Sequence, residues 1–180
     1  MSESEVKGAW FVSARMFLGA DPPILDAVVA EVALVHRQVL QEPAASAWYP
    51  EAALQETLRA MRKVHCPEES RFVDAIDACT VIGTSRFFRA LLSLSTPAFV
   101  LRRVPTMWGQ IRRGKGRVAV TTTDEDAVVQ YRDFPYFADE NYRLLTLGSL
   151  RAVVRTSTGQ TPQVTLENVT RDAIDVRVRW

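Results

Sequence analysis

The sequence predicts an α+β fold in which N-terminal helices pack on one face of an antiparallel sheet of about four strands. Apolar residues recur at spacings of three and four up to about residue 113 and at a spacing of two after Gly114, so helices precede strands. The chain has 180 residues, of which 47% are hydrophobic, and this is enough for one full core. The predicted order of elements is helices, hairpin, helix and hairpin.

This length predicts a single domain over residues 1–180. We expect a disordered tail at 1–6, a mainly helical half at 7–113 and a hairpin–helix–hairpin half at 114–180. The first seven residues are polar and acidic, unlike a secretory signal, and no run of about 18 apolar residues occurs. These features predict a cytoplasmic protein with no membrane span and with two reduced cysteines.

The helices are predicted from capping residues and apolar stripes. Asp21 can cap a helix that opens with two prolines, and Thr96 can cap another that opens with Pro97. Pro105 should kink or restart the latter helix. Because one apolar phase continues from Phe72 onwards without a break, we expect a single long helix there. The predicted helices span about 21–39, 50–66, 68–94 and 96–113.

Four segments after Gly114 have the alternation of strands. They form two hairpins around short polar turns, separated by a helix from about residue 138 to 155 that Gly159 ends. In the last segment Ile174, Val176 and Val178 point one way and charged residues the other, as in a half-buried antiparallel strand. The predicted strands span 117–123, 127–133, 163–169 and 173–180.

The charge is balanced overall but segregated along the chain. There are 22 basic and 21 acidic residues, which excludes a general polyanion binder and disfavours nucleic acid as a partner. No acidic residue lies between Ala78 and Thr123. The alternative to a docking surface is a solvated face neutralised by acidic residues 124–126. A helical projection places four arginines opposite or beside the apolar stripe of the fourth helix, and these are the predicted partner-binding residues: Arg102, Arg103, Arg112 and Arg113.

Aromatic residues are concentrated where the first hairpin meets the last helix. Five of them fall within twelve residues, 131–142, and such density is typical of a pocket mouth or an interface. The alternative is that they fill the gap between the hairpin and the helix. The predicted ligand-binding residues combine this segment with two residues of the helical half: Phe87, Trp108, Tyr131, Phe137 and Tyr142.

No group of residues has the spacing of a catalytic or metal site. His65 and Cys66 are adjacent, but no paired ligand spacing accompanies them, and Asp74 and Asp77 lack a histidine at matching spacing. The segment 109–116 matches a phosphate-binding loop except at its last position, and it closes a helix instead of opening one. We therefore predict no catalytic residue, no metal and no cofactor.

The chain resembles a myxobacterial paralogous family of small proteins of unknown function, over most of its length. The family names no activity. The resemblance is carried by Lys7-Gly-Ala-Trp-Phe-Val12, Tyr49-Pro50, Ile82-Gly83, Arg86-Phe-Phe-Arg-Ala-Leu91, Arg102-Arg103, Gly148-Ser-Leu-Arg-Ala-Val-Val154 and Val176-Arg-Val-Arg-Trp180.

The order of helices and hairpins is also similar to a wider group: haem-dependent nitric oxide sensor domains, four-vinyl-reductase ligand domains and Bet3-like subunits of vesicle-tethering complexes. This resemblance implies a ligand-binding or regulatory module, often dimeric, with a hydrophobic cavity between helices and sheet. The haem sensors hold the propionates with a Tyr-x-Ser-x-Arg motif, whereas Tyr131 is followed by Arg132-Asp133-Phe134-Pro135. The cysteine cluster of the vinyl-reductase domains is also missing, so neither haem nor zinc carries over.

The sequence thus predicts a non-enzymatic cytosolic regulatory or sensory module that binds a small apolar ligand or a protein partner. One alternative is an adaptor that docks an acidic partner through the basic helix face. The other is an enzyme of unknown class that uses His65 and Cys66. A homodimer is the assembly that the wider resemblance implies.

Overall fold

The structure, a computed structural model, describes residues 4–84 and 95–180. Its helices are α1 (Ala9–Leu18), α2 (Pro22–Glu31), α3 (Leu34–Gln41), α4 (Glu51–Val64), α5 (Glu69–Gly83), α6 (Pro97–Arg102), α7 (Val104–Ile111) and α8 (Glu140–Thr158). Its strands are β1 (Glu5–Lys7), β2 (Trp48–Pro50), β3 (Arg112–Arg113), β4 (Arg117–Thr122), β5 (Asp126–Arg132), β6 (Gln163–Glu167) and β7 (Ile174–Arg179), and a 3₁₀ turn spans Pro135–Ala138. The predicted α+β class is confirmed.

The larger sheet has the strand order β4-β5-β7-β6, and each neighbouring pair is antiparallel. β4 with β5 and β6 with β7 are the two predicted hairpins, and α8 lies between them in the chain. Alternate residues of β5 and β7, such as Val129 and Val176, are fully buried. Helices α6, α7 and α8 pack on this sheet, as the sequence predicts.

The smaller sheet, with the order β2-β1-β3, is not predicted by the sequence. In its central strand, Val6 pairs with Tyr49 on one side and with Arg112 on the other. The prediction of a disordered tail at 1–6 is therefore wrong at Glu5 and Val6. These residues are ordered because the Val6 side chain is buried and the backbone of β1 is paired on both sides.

The first predicted helix is interrupted. α2 begins after Asp21, whose side chain accepts a hydrogen bond from the backbone N–H of Ile24, but it ends at Glu31. Val32 is extended, with φ −73° and ψ 138°, and its side chain is buried, so α3 starts on a new axis at Leu34. α1 precedes both helices and was not predicted.

The prediction of a single long helix over 68–94 is also wrong. α5 ends at Gly83 because Thr84 is extended, with ψ 117°. Residues 85–94 lie outside the described part of the chain. The predicted restart at Pro105 is confirmed, because α6 ends at Arg102 and α7 begins at Val104.

α8 is the helix around which the other elements are arranged. It packs against α4, α5 and α6 and against β6 and β7. Gly148 allows α5 to approach, since a Cβ there would lie 2.8 Å from both the Ile76 Cβ and the Val73 backbone O. One side of α8, from Tyr142 to Val153, faces the space beside α7 and β5, where the candidate site lies. Within the described ranges, none of the helices combines the length and apolarity required to cross a membrane.

Candidate ligand-binding site

A cavity of about 110 Å³ lies between the helices and the larger sheet. α7 contributes Met107 and Trp108 to its lining, β5 contributes Tyr131, the 3₁₀ turn contributes Phe137, and α8 contributes Tyr142 and the residues that follow it. The lining is mostly apolar. A hydrophobic cavity between helices and sheet, which the wider resemblance implies, is therefore present.

Five aromatic rings of the lining pack against one another. The ring centroids of Trp108 and Tyr131 are 5.3 Å apart, and that of Phe134 is 5.1 Å from both Trp108 and Phe137. Most pairs meet edge to face, the arrangement that the charge distribution of aromatic rings favours. We call these residues the aromatic cluster: Trp108, Tyr131, Phe134, Phe137 and Tyr142.

The structure brings four predicted ligand-binding residues together at this cavity. Trp108, Tyr131, Phe137 and Tyr142 all line it, while Phe87 lies outside the described residues. Both interpretations of segment 131–142 describe part of the arrangement, since its rings fill the space between hairpin and helix and also line a cavity. That these residues bind a ligand stays a prediction.

Local sequence explains how the rings reach the cavity. The alternation of β5 turns Tyr131 inward. Asp133 then has φ 59°, a left-handed conformation that asparagine and aspartate adopt more easily than most residues, and Phe134 is directed into the core. Asp139 caps α8 by accepting a hydrogen bond from the helix backbone, which places Tyr142 in the first turn of that helix.

Arg112 belongs to the cavity and not to a partner-binding surface. Its side chain is 8% exposed, and its Nε lies 3.1 Å from Oε1 of the fully buried Glu51. Its guanidinium also lies 4.5 Å from the centroid of the Trp108 ring. The helical projection placed Arg112 beside the apolar stripe, as part of a basic outer surface, because it continued the fourth helix through this residue. α7 ends at Ile111 instead, and the extended backbone of β3 turns Arg112 inward.

Tyr142 completes this buried polar group. Its hydroxyl donates to the backbone O of Glu51 at 2.9 Å and to Oε1 at 3.0 Å. Burial raises the pKa of Tyr142 well above its ordinary value, and the nearby Glu51 charge raises it further. Burial also raises the pKa of Tyr131. Both phenols therefore stay protonated at neutral pH.

The other three predicted partner-binding arginines are exposed but separated. Arg102 donates to the Thr122 hydroxyl at 2.8 Å, Arg103 lies over the Phe99 ring, and Arg113 lies over the Trp48 ring. Arg103 and Arg113 flank opposite ends of α7, so the four arginines do not form one helix face. Within residues 4–84 and 95–180, none of these three pairs with a carboxylate. They are thus not neutralised by the acidic turn, whose Asp126 pairs with Arg177.

His65 and Cys66 lie at the end of α4, away from the cavity lining. The His65 ring packs edge-on against Phe17, with the centroids 5.7 Å apart. Burial raises the pKa of the Cys66 thiol to about 11, although Arg62 nearby lowers it. Because the thiolate is the nucleophilic form, this cysteine is poorly suited to nucleophilic catalysis at neutral pH.

The carboxylate pair of α5 forms ion pairs with α8. Asp77 is buried and accepts from Arg151 at 2.9 Å and from Arg155, while the exposed Asp74 accepts from Arg151 at 2.6 Å. Among the described residues, no three His, Cys, Asp or Glu side chains are grouped so that they could hold a metal ion.

Among the residues that the sequence did not assign to the site, Trp10 and Glu51 matter most. Trp10 lines the cavity from α1, and Glu51 holds Arg112 from the first turn of α4. The apolar positions of α1 recur at helical spacing, Trp10 with Ala14 and Phe17, and this signal could have revealed α1. No comparable signal exists for Glu51, because a charged residue at a helix start is ordinarily exposed.

The sequence matches no protein-family profile and no curated protein. Solved structures, however, superpose over nearly the whole chain. The Fe(II)NO form of an H-NOX protein from S. oneidensis has a TM-score of 0.69 at 10% identity and covers 96% of this chain and 98% of its own. The chain has the H-NOX fold. Unliganded Fe(II) H-NOX protein from K. algicida gives a TM-score of 0.65 at 12% identity, with 96% and 95% covered. An oxygen-binding H-NOX domain related to soluble guanylate cyclases gives 0.58 at 12%, with 96% and 91% covered.

The predicted resemblance to haem-dependent nitric oxide sensors is thereby confirmed at the level of the H-NOX fold. The resemblance to the myxobacterial paralogous family stays a prediction. Because the H-NOX fold implies haem, we asked whether the residues at the cavity could hold one. Protein ligands to haem iron are histidine, cysteinate, methionine and tyrosinate.

These residues do not fit haem. No histidine or cysteine lines the cavity within the described ranges, and residues 85–94 contain neither type. Tyr131 and Tyr142 stay protonated, so neither supplies the tyrosinate form. Met107, a neutral thioether, is then the remaining candidate iron ligand among the described lining residues. The cavity is also too small, since about 110 Å³ is well below the roughly 300–1,000 Å³ of pockets that take drug-sized molecules.

Proposed function

We propose that this chain is a sensory ligand-binding module of H-NOX fold whose cavity takes a small apolar molecule in place of haem. The observation that carries the proposal is the cavity itself: about 110 Å³, lined by the aromatic cluster and by aliphatic residues of α7 and α8. An apolar cavity of roughly 150 Å³ stays dry and binds benzene. The cavity of this chain is smaller, so it matches a molecule no larger than benzene.

Arg112 supports a sensory role because it joins the cavity to two other elements. Its guanidinium contacts Trp108 of the aromatic cluster, its backbone pairs with Val6 of β1, and its Nε holds Glu51 at the start of α4. A ligand that displaces the Trp108 ring therefore acts directly on the smaller sheet and on α4. A signal passed through these contacts of Arg112 needs no catalytic group.

The test is a titration of the purified chain with benzene, followed by NMR. We expect one molecule to bind, with shifts confined to residues of the cavity. Leu150→Phe adds a ring to the lining and should abolish binding. The control, Leu147→Phe, makes the same change on α8 outside the cavity and should leave binding intact. Failure of the wild-type chain to bind, or equal binding by both variants, would contradict the proposal.

A second candidate function is an adaptor that docks an acidic protein. It is supported by the exposed Arg102, Arg103 and Arg113, which pair with no carboxylate of the described chain. Such docking should weaken as salt is added. The charge reversals Arg102→Glu and Arg103→Glu together should abolish capture of an acidic partner, while Arg171→Glu, an exposed arginine of the last hairpin turn, should not. Unchanged capture by the double variant would exclude this function.

A further inference from the structure

Trp10, a residue of the cavity lining, has a hydrogen-bond donor without a partner in the described part of the chain. It lies in the first turn of α1 and lines the cavity beside the aromatic cluster. Its Nε1 is buried and has no hydrogen-bond partner among the described residues. A buried N–H without a partner costs roughly 1–3 kcal/mol, which is why such groups are rare in folded proteins. A ligand in the cavity that offers a hydrogen-bond acceptor could relieve this cost without a rearrangement of the chain.

Three other polar groups of the lining already have partners. The Thr146 hydroxyl donates to the backbone O of Tyr142 at 2.9 Å, and the Tyr142 hydroxyl donates to Glu51. The Ser149 hydroxyl accepts from Thr80 at 3.3 Å. The indole N–H of Trp10 is thus distinguished from these groups by having nothing to bind.

The charge at the cavity is also already balanced. Among the described residues, Arg112 is the cation of the lining, and its Nε lies 3.1 Å from the buried Glu51 carboxylate. An anionic ligand that approached Arg112 would meet the negative charge of Glu51 as well, and it would lose its hydration in an apolar cavity. The pair therefore favours a neutral ligand.

We infer that the ligand is a neutral ring-sized molecule with a hydrogen-bond acceptor, such as a nitrogen heterocycle or a small cyclic ketone, and that Trp10 Nε1–H donates to this acceptor. The inference rests on the proposed function, because it requires the cavity to bind a ligand. It adds the acceptor, which a purely apolar molecule lacks.

Benzene and pyridine are the probes, because they share size and shape and only pyridine has an acceptor. Both are titrated at a pH where pyridine is neutral, with wild-type chain, Trp10→Phe and Trp180→Phe. The last variant is a matched control, since the Trp180 indole donates to the backbone O of Asp124 at 3.2 Å, outside the cavity. We expect Trp10→Phe to weaken pyridine binding about two- to tenfold and to change benzene binding less than about twofold. Trp180→Phe should change neither.

A second readout does not depend on the folding of any variant. The chain has four tryptophans, so its ¹H–¹⁵N spectrum contains four indole signals. Pyridine, and not benzene, should move the Trp10 indole proton downfield, as a new hydrogen bond requires. If both probes bind and neither difference is seen, the inference is wrong and the proposed function stands. If neither probe binds the wild-type chain, the proposed function fails first.

Discussion

Arg112 shows how far a single side chain can depart from its prediction. In the projected helix Arg112 lies beside the apolar stripe and belongs to a basic outer surface. As a residue of β3 it lies against Trp108, with 8% of its side chain exposed. Isolated burial of a guanidinium is costly, so its position depends on Glu51. Tyr142 donates to Oε1 of Glu51, the oxygen that Arg112 also contacts, while Oε2 is buried without a partner among the described residues. Glu51 therefore depends on Tyr142 as well as on Arg112.

Tyr142→Phe should destabilise the chain by about 1–3 kcal/mol, because it removes a donor from a fully buried carboxylate. Chemical denaturation measures the change. In a Glu51→Gln background the same substitution should cost less, since the amide carries no charge. Tyr49→Phe is the control, as the Tyr49 hydroxyl oxygen accepts only from an exposed backbone N–H of Ala44. Equal losses in both Glu51 backgrounds would show that Tyr142 does not support that carboxylate.

The two thiols provide a second prediction for individual residues. Burial raises the pKa of Cys66 to about 11 and that of Cys79 to about 12. At pH 8 fewer than roughly one in a hundred of either thiol should be ionised. A thiol-specific disulfide reagent should therefore react with the folded chain at least about 100-fold more slowly than with the denatured chain. Ser46→Cys, in an exposed loop, should add one thiol that reacts promptly.

These pKa values also set the sign of an alkaline effect. Folding raises both pKa values, so the thiols contribute their full stability below about pH 9, and this contribution declines as the pH rises towards 11. Replacing both cysteines by alanine should flatten the loss of unfolding free energy between pH 9 and 11. If the unfolding free energy fell equally steeply with pH in the double variant, the raised pKa values of the two thiols would be contradicted. Rapid reaction of Cys66 and Cys79 in the folded chain would contradict their burial.

Among the elements, those with a local signal were predicted from the sequence. The two hairpins follow from period-two alternation, and α2 and α6 follow from Asp21 and Thr96, whose side chains do cap them. The smaller sheet was missed because strands of two or three residues are too short for a period to show. The end of α5 at Gly83 was missed because the apolar phase of the sequence continues past this residue. Only packing against neighbouring elements decides whether the helix ends there or continues.

The residues of the site, like the elements, could be predicted only where the sequence carries a local signal. Trp108, Tyr131, Phe137 and Tyr142 could be found because aromatic residues are dense near the junction of hairpin and helix. Trp10 lies more than 90 residues from them along the chain and Glu51 more than 50 from Arg112, so no local pattern joins them. Such contacts are set by the three-dimensional packing of α1 and α4.

Replacing a glycine by alanine should change stability in opposite directions at two helices, α8 and α7. Gly148 of α8 lies at the contact with α5, and Gly109 of α7 lies in open space. Gly148→Ala would place a Cβ 2.8 Å from the Val73 backbone O, which cannot move aside as a side chain can. It should destabilise the chain by about 1–3 kcal/mol, even though alanine is the better helix former by roughly 1 kcal/mol. Gly109→Ala in α7 meets nothing within 4 Å and should stabilise by about 0.5–1 kcal/mol. Thermal unfolding of both variants measures this, and a gain at Gly148 would refute the close approach.

At the scale of the whole molecule, the backbone fold does not determine which side chains fill the interior. H-NOX structures superpose on 96% of this chain at 10–12% identity, so a common fold is built from largely different residues. Between its helices and its larger sheet, this chain has the aromatic cluster around a cavity of about 110 Å³. A shared fold therefore does not determine the ligand, and under the proposed function the side chains of the cavity decide which ligand enters.

This independence of ligand and fold predicts that the purified chain does not retain haem. The chain is mixed with an equimolar amount of haem, desalted and examined for Soret absorbance, with an H-NOX protein from S. oneidensis as positive control. We expect no retained band, because no histidine or cysteine of the described chain lines the cavity and because haem exceeds its volume. Met107 is the lining residue that could ligate iron without losing a proton, so Met107→Leu is treated in parallel. A stoichiometric Soret band in the wild-type chain that Met107→Leu abolishes would show that the aromatic cluster opens to admit haem.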